Sequence, residues 1–498
     1  MTDDVPGGWK PTLDDLAERR AAARAMGGDE RLERHRKAGK LDVRARVEEL
    51  LDPGSFSELG TLVGSAPADA FVAGAGRIGG RPVMVGAEDF TVLGGTIAGG
   101  SNAKRYRIAE LALQRRVPLI MLLEGAGHRP DDRSQGRHPT DLGIQARCSG
   151  RVPLVTGVLG PSAGHGALIA PMSDFSVMTE QAAIFTAGPP VVKESTGEDV
   201  GKDELGGPGV ALPSGLVHNV ATDDADALAQ IRRYLSFFPS SAWSYPSRCT
   251  GDDQGPRAVG ELLEIIPRDN RRIYDIRDVI DAMTDRRQWF EVQPGFGRAI
   301  VCALAHLGGE PVAIVANQPN VQAGSIDAPA ADKAAHFIMV ADSFHVPLVF
   351  LADNPGMLPG TRSERAGVLR SGARMFGAQT QATVPKLHVT LRKAYGFGSM
   401  VMAMVAFENQ AATFAFPGAT LGAMGAGASS RAMGADAAAA EALRQAELDA
   451  SYRSARGLGF DELIDPRETR DALIGALHHA VFHRQQAAEP VARIGITP

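Results

Sequence analysis

The sequence repeats itself, and this repeat limits the possible folds more than any other feature. Residues 81–85, Arg-Pro-Val-Met-Val, resemble residues 310–314, Glu-Pro-Val-Ala-Ile, so Pro82 corresponds to Pro311 at an offset of 229 residues. The same offset aligns further short segments, and farther along Gly164-His165-Gly166 pairs with Gly396-Phe397-Gly398 at an offset of 232. The sequence therefore predicts two homologous halves.

Each half has the pattern of a βαβ unit. Residues 82–87 and 118–123 are short and apolar, and residues 103–116 between them have helical periodicity. Strands without polar alternation are typical of a parallel sheet that helices cover on both faces. The predicted fold class is α/β, and we expect the boundary near Gly255, which gives domains 1–255 and 256–498.

Composition excludes several classes of protein. The 498 residues are 44% apolar and 22% charged, which is typical of a globular enzyme, and the net charge of −6 argues against a nucleic-acid binder. Three separated cysteines indicate neither a disulfide framework nor a zinc ribbon. The start of the chain has no pattern of an export signal, and Gly and Pro interrupt the apolar stretches 152–173 and 409–430. We expect a soluble, cytoplasmic protein without a metal.

The two ends of the chain have simpler predictions. Residues 13–24 and 30–37 are charged and helix-forming, which predicts a solvated arm or one that packs on a partner. Asp465-Pro466-Arg467-Glu468 has the residues of a helix start, and it predicts a helix through residues 473–482 that closes the second half.

The candidate chemistry lies in two glycine-rich turns, residues 160–166 and 392–399. Each follows a buried strand and is expected to open a helix, where free backbone N–H groups suit an enolate or a tetrahedral oxyanion. Glycine in one such turn serves only tight packing more often than function, but two equivalent turns favour a functional role.

The ends of the third apolar strand in each half are expected to line the same cavities, because ligands bind at the carboxyl ends of parallel strands. These segments are Glu124-Gly125-Ala126-Gly127 and Asp353-Asn354-Pro355-Gly356. Motifs of P-loop proteins, α/β-hydrolases and zinc peptidases are absent from the sequence. His128, His138 and His165 are candidate acid–base groups, and His165 alone lies in a turn of this kind.

Several motifs resemble the carboxyltransferase (β) subunits of biotin-dependent acyl-CoA carboxylases, over nearly the whole chain. Gly188-Pro189-Pro190 and Gly396-Phe397-Gly398-Ser399 are similar to methylcrotonoyl-CoA carboxylase, whereas Arg392-Lys393-Ala394-Tyr395 is similar to propionyl-CoA carboxylase. The other matching segments are residues 39–56, 89–95, 191–193, 196–198, 205–207, 316–319, 333–335, 355–356, 359–360 and 465–470.

This resemblance implies a crotonase-like fold in each half, with acyl-CoA bound by the first half and carboxybiotin by the second. Active sites would form where the first half of one subunit meets the second half of another, commonly in a hexamer. A biotin carboxylase and biotin-carrier subunit would be the partner, because the sequence has no Ala-Met-Lys-Met biotinyl segment. Carboxybiotin would release CO₂, its ureido nitrogen would take the α-proton, and the enolate would attack the CO₂.

The resemblance also assigns roles to single residues. Gly164, His165 and Gly166 would hold the thioester oxygen, and Phe397 with Gly398 would hold the biotin carbonyl. The residues expected to bind the biotin cofactor or the acyl-CoA substrate are Gly125, Ala126, Gly127, Asn354, Gly356 and Gly396.

The sequence departs from the propionyl-type pattern at three positions near the pocket. His165 and Phe397 each stand where that pattern has Gly, and Met400 replaces an acidic residue, while the loop 127–131 lacks the usual Gly-Ala-Arg. A backbone N–H survives any of these changes, so the departures concern pocket shape and the choice of acyl group.

Two alternatives stay open at this point. One is transfer in the decarboxylase direction, from a malonyl-type CoA ester to biotin, and the other is a catalytically silent scaffold subunit. An acyl-CoA hydratase or isomerase is disfavoured, because such proteins resemble one half and this chain has two.

Overall fold

The computed structural model describes residues 8–129, 139–404, 407–484, 487–491 and 496. Two compact units divide the chain, and unit 1 ends at Leu235 where unit 2 begins at Ser236. His138, a candidate acid–base group, lies outside the described residues.

Unit 1 contains strands and helices that alternate along most of its length. Its strands are β1 (Ser57–Leu59), β2 (Phe71–Ile78), β3 (Arg81–Glu88), β4 (Leu119–Leu123), β5 (Leu154–Val158), β6 (Pro161–Ala163), β7 (Phe175–Thr179), β8 (Ala183–Phe185) and β9 (Asn219–Ala221). Its helices are α1 (Lys10–Arg24), α2 (Asp29–Lys37), α3 (Val43–Leu50), α4 (Gly99–Arg115), α5 (Asp141–Ala146), α6 (Gly164–Ala167), α7 (Ile169–Met172), α8 (Pro189–Thr196), α9 (Lys202–Gly206), α10 (Pro208–Ala211) and α11 (Asp224–Leu235).

Unit 2 repeats this plan. Its strands are β10 (Trp289–Val292), β11 (Ile300–Leu307), β12 (Glu310–Asn317), β13 (Leu348–Asn354), β14 (Lys386–Tyr395), β15 (Gln410–Ala415), β16 (Thr420–Gly422) and β17 (Glu462–Leu463). Its helices are α12 (Leu262–Ile265), α13 (Ile276–Met283), α14 (Ala328–Ser343), α15 (Thr361–Arg365), α16 (Val368–Gln381), α17 (Gly396–Val401), α18 (Ala426–Met433), α19 (Ala437–Leu448), α20 (Ala450–Arg456) and α21 (Thr469–Val481).

The two main sheets have the same topology. The strand order is β1-β2-β3-β4-β5-β7-β9 in unit 1 and β10-β11-β12-β13-β14-β15-β17 in unit 2. A short parallel pair accompanies each sheet, β6 with β8 in unit 1 and the end of β14 with β16 in unit 2. The predicted internal repeat and the α/β fold class are therefore confirmed.

Each sheet is mixed, and this differs from the predicted parallel sheet. β3, β4, β5, β7 and β9 run parallel, but β2 pairs antiparallel with both β1 and β3. The reason is a hairpin at Gly79-Gly80, where φ is +56° and +77°, and Gly308-Gly309 repeats it in unit 2 with φ of +60° and +85°. Two successive left-handed residues form the tight turn that joins antiparallel strands.

The predicted helices at the two ends of the chain are present. α1 and α2 form the charged arm, and most of their side chains are exposed. Asp465 accepts a hydrogen bond from the Arg467 N–H (2.9 Å) and begins the turn that leads into α21. Leu473 and Leu477 of α21 are fully buried in the core of unit 2, so this helix closes that unit.

The predicted domain boundary near Gly255 falls inside unit 2. Aromatic side chains just after Leu235 pack on unit 2, since the ring of Phe237 stacks on His306 (centroids 5.1 Å apart) and Phe238 contacts Phe344 edge to face (5.7 Å). Among the described residues, no helix has both the length and the apolar character that a membrane crossing requires.

Candidate active site

The first glycine turn lies at the carboxyl end of the unit 1 sheet, beside the end of β4. Gly164 begins α6 with φ of +58°, and Gly127 has φ of +87°. The Ala163 N–H donates to the Gly125 carbonyl (3.0 Å), which fixes residues 125–127 against the turn. The structure therefore brings the predicted residues of unit 1 together, and the first N–H groups of α6 have no acceptor within the helix.

The second turn has the same construction in unit 2. Gly396 begins α17 with φ of +53°, and Gly356 has φ of +116°. The Gly356 N–H donates to Asn354 Oδ1 (3.0 Å), and a Cβ on Gly398 would lie 2.4 Å from that oxygen. Only glycine fits at residue 398 without displacing this neighbour, so the predicted residues of unit 2 also lie side by side.

A largely buried network of hydrogen-bonded side chains supports the first turn. His165 Nε2 is 2.5 Å from Asp141 Oδ1, and Arg105 Nε donates to the second oxygen of Asp141 (2.7 Å). Arg105 also donates to Glu88 Oε1 (2.9 Å), and Glu88 Oε2 accepts the N–H of Glu124 (2.8 Å). The side chains of Asp141, Arg105 and Glu88 are at most 3% exposed, whereas that of His165 is 25% exposed.

Burial and neighbouring charges have opposite effects on the pKa values of the two carboxyl groups in this network. Burial raises the pKa of Asp141, but the hydrogen bond with His165 and the charge of Arg105 outweigh it and lower the pKa to about 2. Burial raises the pKa of Glu88, and the charge of Arg105 offsets this only in part. Asp141 is therefore ionised at neutral pH.

Sequence reasoning identified His165 but missed the other side chains of this hydrogen-bonded network. Asp141, Arg105 and Glu88 come from α5, α4 and β3, and a short motif could not have joined them because they are distant in the sequence. His128, the other described histidine candidate, has its ring centroid 6.1 Å from that of His165, in an edge-to-face arrangement.

A different set of partners supports the second turn. Asp353 Oδ2 accepts hydrogen bonds from Arg392 Nε (2.7 Å) and from the Tyr274 hydroxyl (2.8 Å). Asn317 Oδ1 accepts the Asp353 N–H (3.1 Å) and the Asn354 side-chain amide (3.0 Å). Burial, and then the charge of Asp353, raise the pKa of Tyr274 well above its usual value, so its hydroxyl stays a donor.

Phe397 has apolar neighbours, whereas His165 is hydrogen-bonded to a buried carboxylate. The half-buried Phe397 ring lies 6.1 Å from the ring of Phe376 on α16. A Cβ on Gly372 of the same helix would come within 2.9 Å of the Phe397 ring, so this glycine makes room for it. The second turn therefore presents an apolar ring beside its backbone N–H groups.

Unit 1 also has a basic cavity of about 340 Å³ near the end of β4. Its lining includes four cationic side chains, one histidine, one aromatic ring and one carboxylate: Arg31, Arg34, Lys40, Lys202, His35, Phe90 and Glu124. Burial lowers the pKa of His35, which favours its neutral form. Sequence analysis predicted α2 only as an arm and did not assign it to a cavity.

Glu124 is held at this cavity by two cations. Lys40 Nζ and Arg46 Nη1 each lie 2.6 Å from its carboxylate, and Arg46 also pairs with Asp224 (2.8 Å). Burial raises the pKa of Glu124, but the charges of Arg46 and Lys40 outweigh it and lower the pKa.

A larger cavity of about 730 Å³ in unit 2 lies away from the glycine turns. Thr383, Val384, Gln410 and Arg484 are among the residues that line it, at the amino ends of β14 and β15. Ligands of such sheets bind at the carboxyl ends, so we assign the active site to the turns and not to this cavity. No cluster of metal-ligating side chains is present in the described parts of the chain.

The chain is similar to known proteins over most of its length. The carboxyl transferase domain model matches residues 34–492. The methylmalonyl-CoA carboxyltransferase 12S subunit of Propionibacterium freudenreichii subsp. shermanii is 37% identical over 499 residues, covering 95% of each chain. The mitochondrial propionyl-CoA carboxylase beta chain of Rattus norvegicus is 35% identical, covering 91% of this chain and 88% of the relative.

A solved structure gives the same result. The transcarboxylase 12S crystal structure, described as a hexamer assembly with methylmalonyl-coenzyme A and methylmalonic acid bound, has a TM-score of 0.90 and 34% identity. It covers 99% of this chain and 100% of its own. Fold and site thus define an enzyme of the crotonase-fold carboxyltransferase class, and the chain belongs to the carboxyl transferase domain family. The family resemblance that the sequence indicated is confirmed.

Proposed function

We propose that the protein is the carboxyltransferase subunit of a biotin-dependent acyl-CoA carboxylase. It moves a carboxyl group from carboxybiotin, carried on a partner chain, to the α or vinylogous carbon of an acyl-CoA. The observation that carries this proposal is the duplicated glycine turn, at the carboxyl end of the sheet in each unit. Two equivalent sets of backbone donors suit a reaction in which two carbonyl groups develop negative charge.

Unit 1 is the acyl-CoA side in this proposal. Its cavity has cationic side chains, including Arg31, Arg34, Lys40 and Lys202, that suit the phosphates of coenzyme A. Pro161 also lines the cavity, and it lies on β6, the strand that leads into the turn. A CoA bound there has its thioester end beside residues 164–166.

The first turn then stabilises the thioester oxygen. The N–H groups of His165 and Gly166 are at the start of α6, where the partial positive charge of the helix adds to the hydrogen bonds. Both interactions strengthen as the thioester becomes an enolate, so they favour loss of the α-proton. Gly125, Ala126 and Gly127 form the adjoining wall.

Unit 2 is the carboxybiotin side. The residues present fit a flat ureido ring, because Gly356 has no side chain, the space beside it holds only the Tyr395 carbonyl oxygen (3.5 Å from an added Cβ), and Asn354 anchors the Gly356 N–H. When bound, carboxybiotin supplies the carboxyl group and a basic ureido nitrogen. Phe397 and Gly398 donate backbone N–H groups to the biotin carbonyl, and Gly396 allows the left-handed bend at the start of the turn.

The partners follow from the same comparisons. Relatives named as a 12S subunit or a beta chain work with other chains, so we propose a biotin carboxylase and biotin-carrier partner and a homo-oligomer, as in the solved hexamer. A cytoplasmic location is part of the proposal, and the free cysteines Cys148, Cys249 and Cys302 agree with it.

Transfer in the opposite direction is a second candidate. The alpha subunit of methylmalonyl-CoA decarboxylase from Veillonella parvula is 35% identical over 493 residues. The same two turns serve both directions, because a catalyst stabilises the same transition state from either side.

A transfer assay tests the proposal. The purified chain is mixed with a biotin carrier carrying a ¹⁴C-labelled carboxyl group and with propionyl-CoA, and label in the CoA ester is counted. We expect transfer with the carrier present, and binding without carboxylation when the chain receives only ATP, bicarbonate and propionyl-CoA. Strong ATP-dependent carboxylation by the chain alone, or no transfer to any acyl-CoA from the loaded carrier, would contradict the proposal.

A further inference from the structure

The two turns share a backbone but differ in the side chain at their second residue. His165 Nε2 lies 2.5 Å from Asp141 Oδ1, and Asp141 is fully buried. The equivalent Phe397 packs against Phe376 and has no polar side-chain atom. A histidine oriented by a buried carboxylate, beside backbone N–H donors, is the arrangement of a general base with its orienting group.

Asp141 is itself held in one orientation. Its second oxygen accepts hydrogen bonds from Arg105 Nε (2.7 Å) and from the Gln145 amide (2.9 Å). Its carboxylate is ionised, because the hydrogen bond with His165 and the charge of Arg105 more than offset burial and lower its pKa to about 2. An ionised Asp141 orients Nε2 as the protonated nitrogen and leaves Nδ1 as the nitrogen that can accept a proton.

We propose that His165 and Asp141 form a proton-transfer pair that exchanges the α-hydrogen of bound acyl-CoA with solvent, without any biotin. This inference rests on the proposed function, in which residues 164–166 hold the thioester oxygen. The α-carbon is two bonds from that oxygen, and the partly exposed ring of His165 belongs to the same turn as the N–H groups that would hold the oxygen. Carboxyl transfer itself uses the ureido nitrogen as base, and the exchange is an additional partial reaction.

The atoms and electrons of this step balance without a further reactant. The α-C–H bond breaks, and its electron pair forms the C=C bond of the enolate while the carbonyl pair moves to the oxygen. The proton forms a new N–H bond at His165 Nδ1, and Asp141 stabilises the resulting imidazolium. The imidazolium exchanges its proton with water, and return of a solvent proton to the α-carbon restores the acyl-CoA.

Deuterium incorporation measures this reaction. The purified chain is incubated with propionyl-CoA in D₂O without carrier, and mass spectrometry follows label at the α-carbon. We expect incorporation well above the rate without protein. His165→Gln keeps an amide donor for Asp141 but cannot take the proton, and it should lower the exchange rate roughly 10²- to 10⁴-fold.

Asp141 is a positioning residue, and its variant has a distinct signature. Asp141→Asn should lower the exchange rate at saturating propionyl-CoA with little change in the concentration for half saturation, and Asp141→Glu should restore part of the rate. The matched control is Asp174→Asn, another buried aspartate of unit 1, whose carboxylate accepts the Leu154 N–H (2.7 Å). Its exchange rate should equal that of the original protein.

Three outcomes separate this inference from the proposed function. Transfer from a loaded carrier without α-deuterium incorporation would overturn the inference and leave the proposed function standing. Unchanged exchange in folded His165→Gln would also overturn it, because another group would then be the base. Absence of both acyl-CoA binding and transfer would refute the proposed function and, with it, the inference.

Discussion

The two glycine turns of this protein have the same backbone construction but different side chains around them. In unit 1 the Glu124 N–H donates to Glu88, and in unit 2 the equivalent Asp353 N–H donates to Asn317. The anchoring hydrogen bond is thus present in both units, although its acceptor is a carboxyl group in one unit and a side-chain amide in the other. The two units therefore share the position of the backbone N–H donors and differ in the side chains around them, which fits the two different ligands that we propose.

The acids at the strand ends show the same divergence. Glu124 pairs with Arg46, which comes from α3. Asp353 pairs with Arg392, which comes from β14 in the same sheet. In unit 1 Lys40, the second cation at Glu124, lines a cavity that suits an anionic ligand. In unit 2 the Arg392 guanidinium donates to the backbone carbonyls of Pro267, Asp269 and Arg272.

The largest expected effect is a loss of stability when the buried ion pairs beside the unit 1 site are removed. Arg46→Met leaves the carboxylates of Glu124 and Asp224 without their buried partner, and it should lower the free energy of unfolding by about 3–5 kcal/mol. Denaturant titration measures this loss. The exposed Arg19→Met removes an ion pair on α1 that lies in water, and it should leave the free energy of unfolding nearly unchanged.

The second effect concerns the backbone donors themselves. Gly398→Pro removes one N–H from the unit 2 turn but also places a Cβ against Asn354 Oδ1, so Gly398→Ala, which adds a Cβ and keeps the N–H, is its control. Relative to Gly398→Ala, losing the oxyanion donor should lower the rate of carboxyl transfer about 10²- to 10³-fold. Light scattering and thermal unfolding must show that assembly and fold persist. Full transfer by a folded Gly398→Pro protein would show that this N–H does not serve the reaction.

The third effect is the part of the pH dependence of stability that comes from Asp141 of unit 1. The pKa of Asp141 is lowered to about 2 in the folded protein, from an ordinary value of 3.8. Its stabilising contribution is therefore present above pH 4, and about 2 kcal/mol is lost as the pH falls toward 2. Asp141→Asn should lack this component, so the stability difference between the two proteins should shrink between pH 6 and pH 3. A constant difference would mean that Asp141 does not titrate in this range.

The smallest expected effect tests whether the basic cavity binds the phosphates of the acyl-CoA. Arg34→Ala removes one cation from the lining, and loss of one phosphate contact of about 1.5 kcal/mol should raise the KM for acyl-CoA roughly tenfold with kcat little changed. Arg19→Ala, a matched change on the neighbouring helix outside the cavity lining, should leave the KM unchanged.

Local patterns made the turns and the repeat predictable. Gly164, Gly396 and their strand-end neighbours stand in short motifs whose spacing is repeated along the chain, so their placement followed from the sequence. Gly79-Gly80 is an equally local pattern, typical of a hairpin between antiparallel strands, and it explains why the sheet is mixed and not parallel throughout. The contacts of Asp141 with His165 were beyond sequence reasoning, because they join elements that only the folded sheet brings together.

The basic cavity illustrates the same limit. Arg31 and Arg34 have the spacing of an ordinary solvated helix face, and nothing in α2 alone distinguishes a cavity wall from a surface. Their role depends on Phe90 and Glu124, which lie on other elements. Burial of Arg46 likewise depends on α3 packing against α11, where Asp224 begins the helix.

A two-substrate kinetic experiment tests the central claim, that unit 1 binds the acyl-CoA and unit 2 the carboxybiotin, most directly. Carboxyl transfer is measured while propionyl-CoA and the loaded carrier are varied independently, for the original protein, Arg34→Ala and Phe397→Ala. The account predicts that Arg34→Ala raises the KM for propionyl-CoA alone and that Phe397→Ala raises the KM for the carrier alone. Two variants that shift the KM of the same substrate, or an exchange of the two effects, would contradict it.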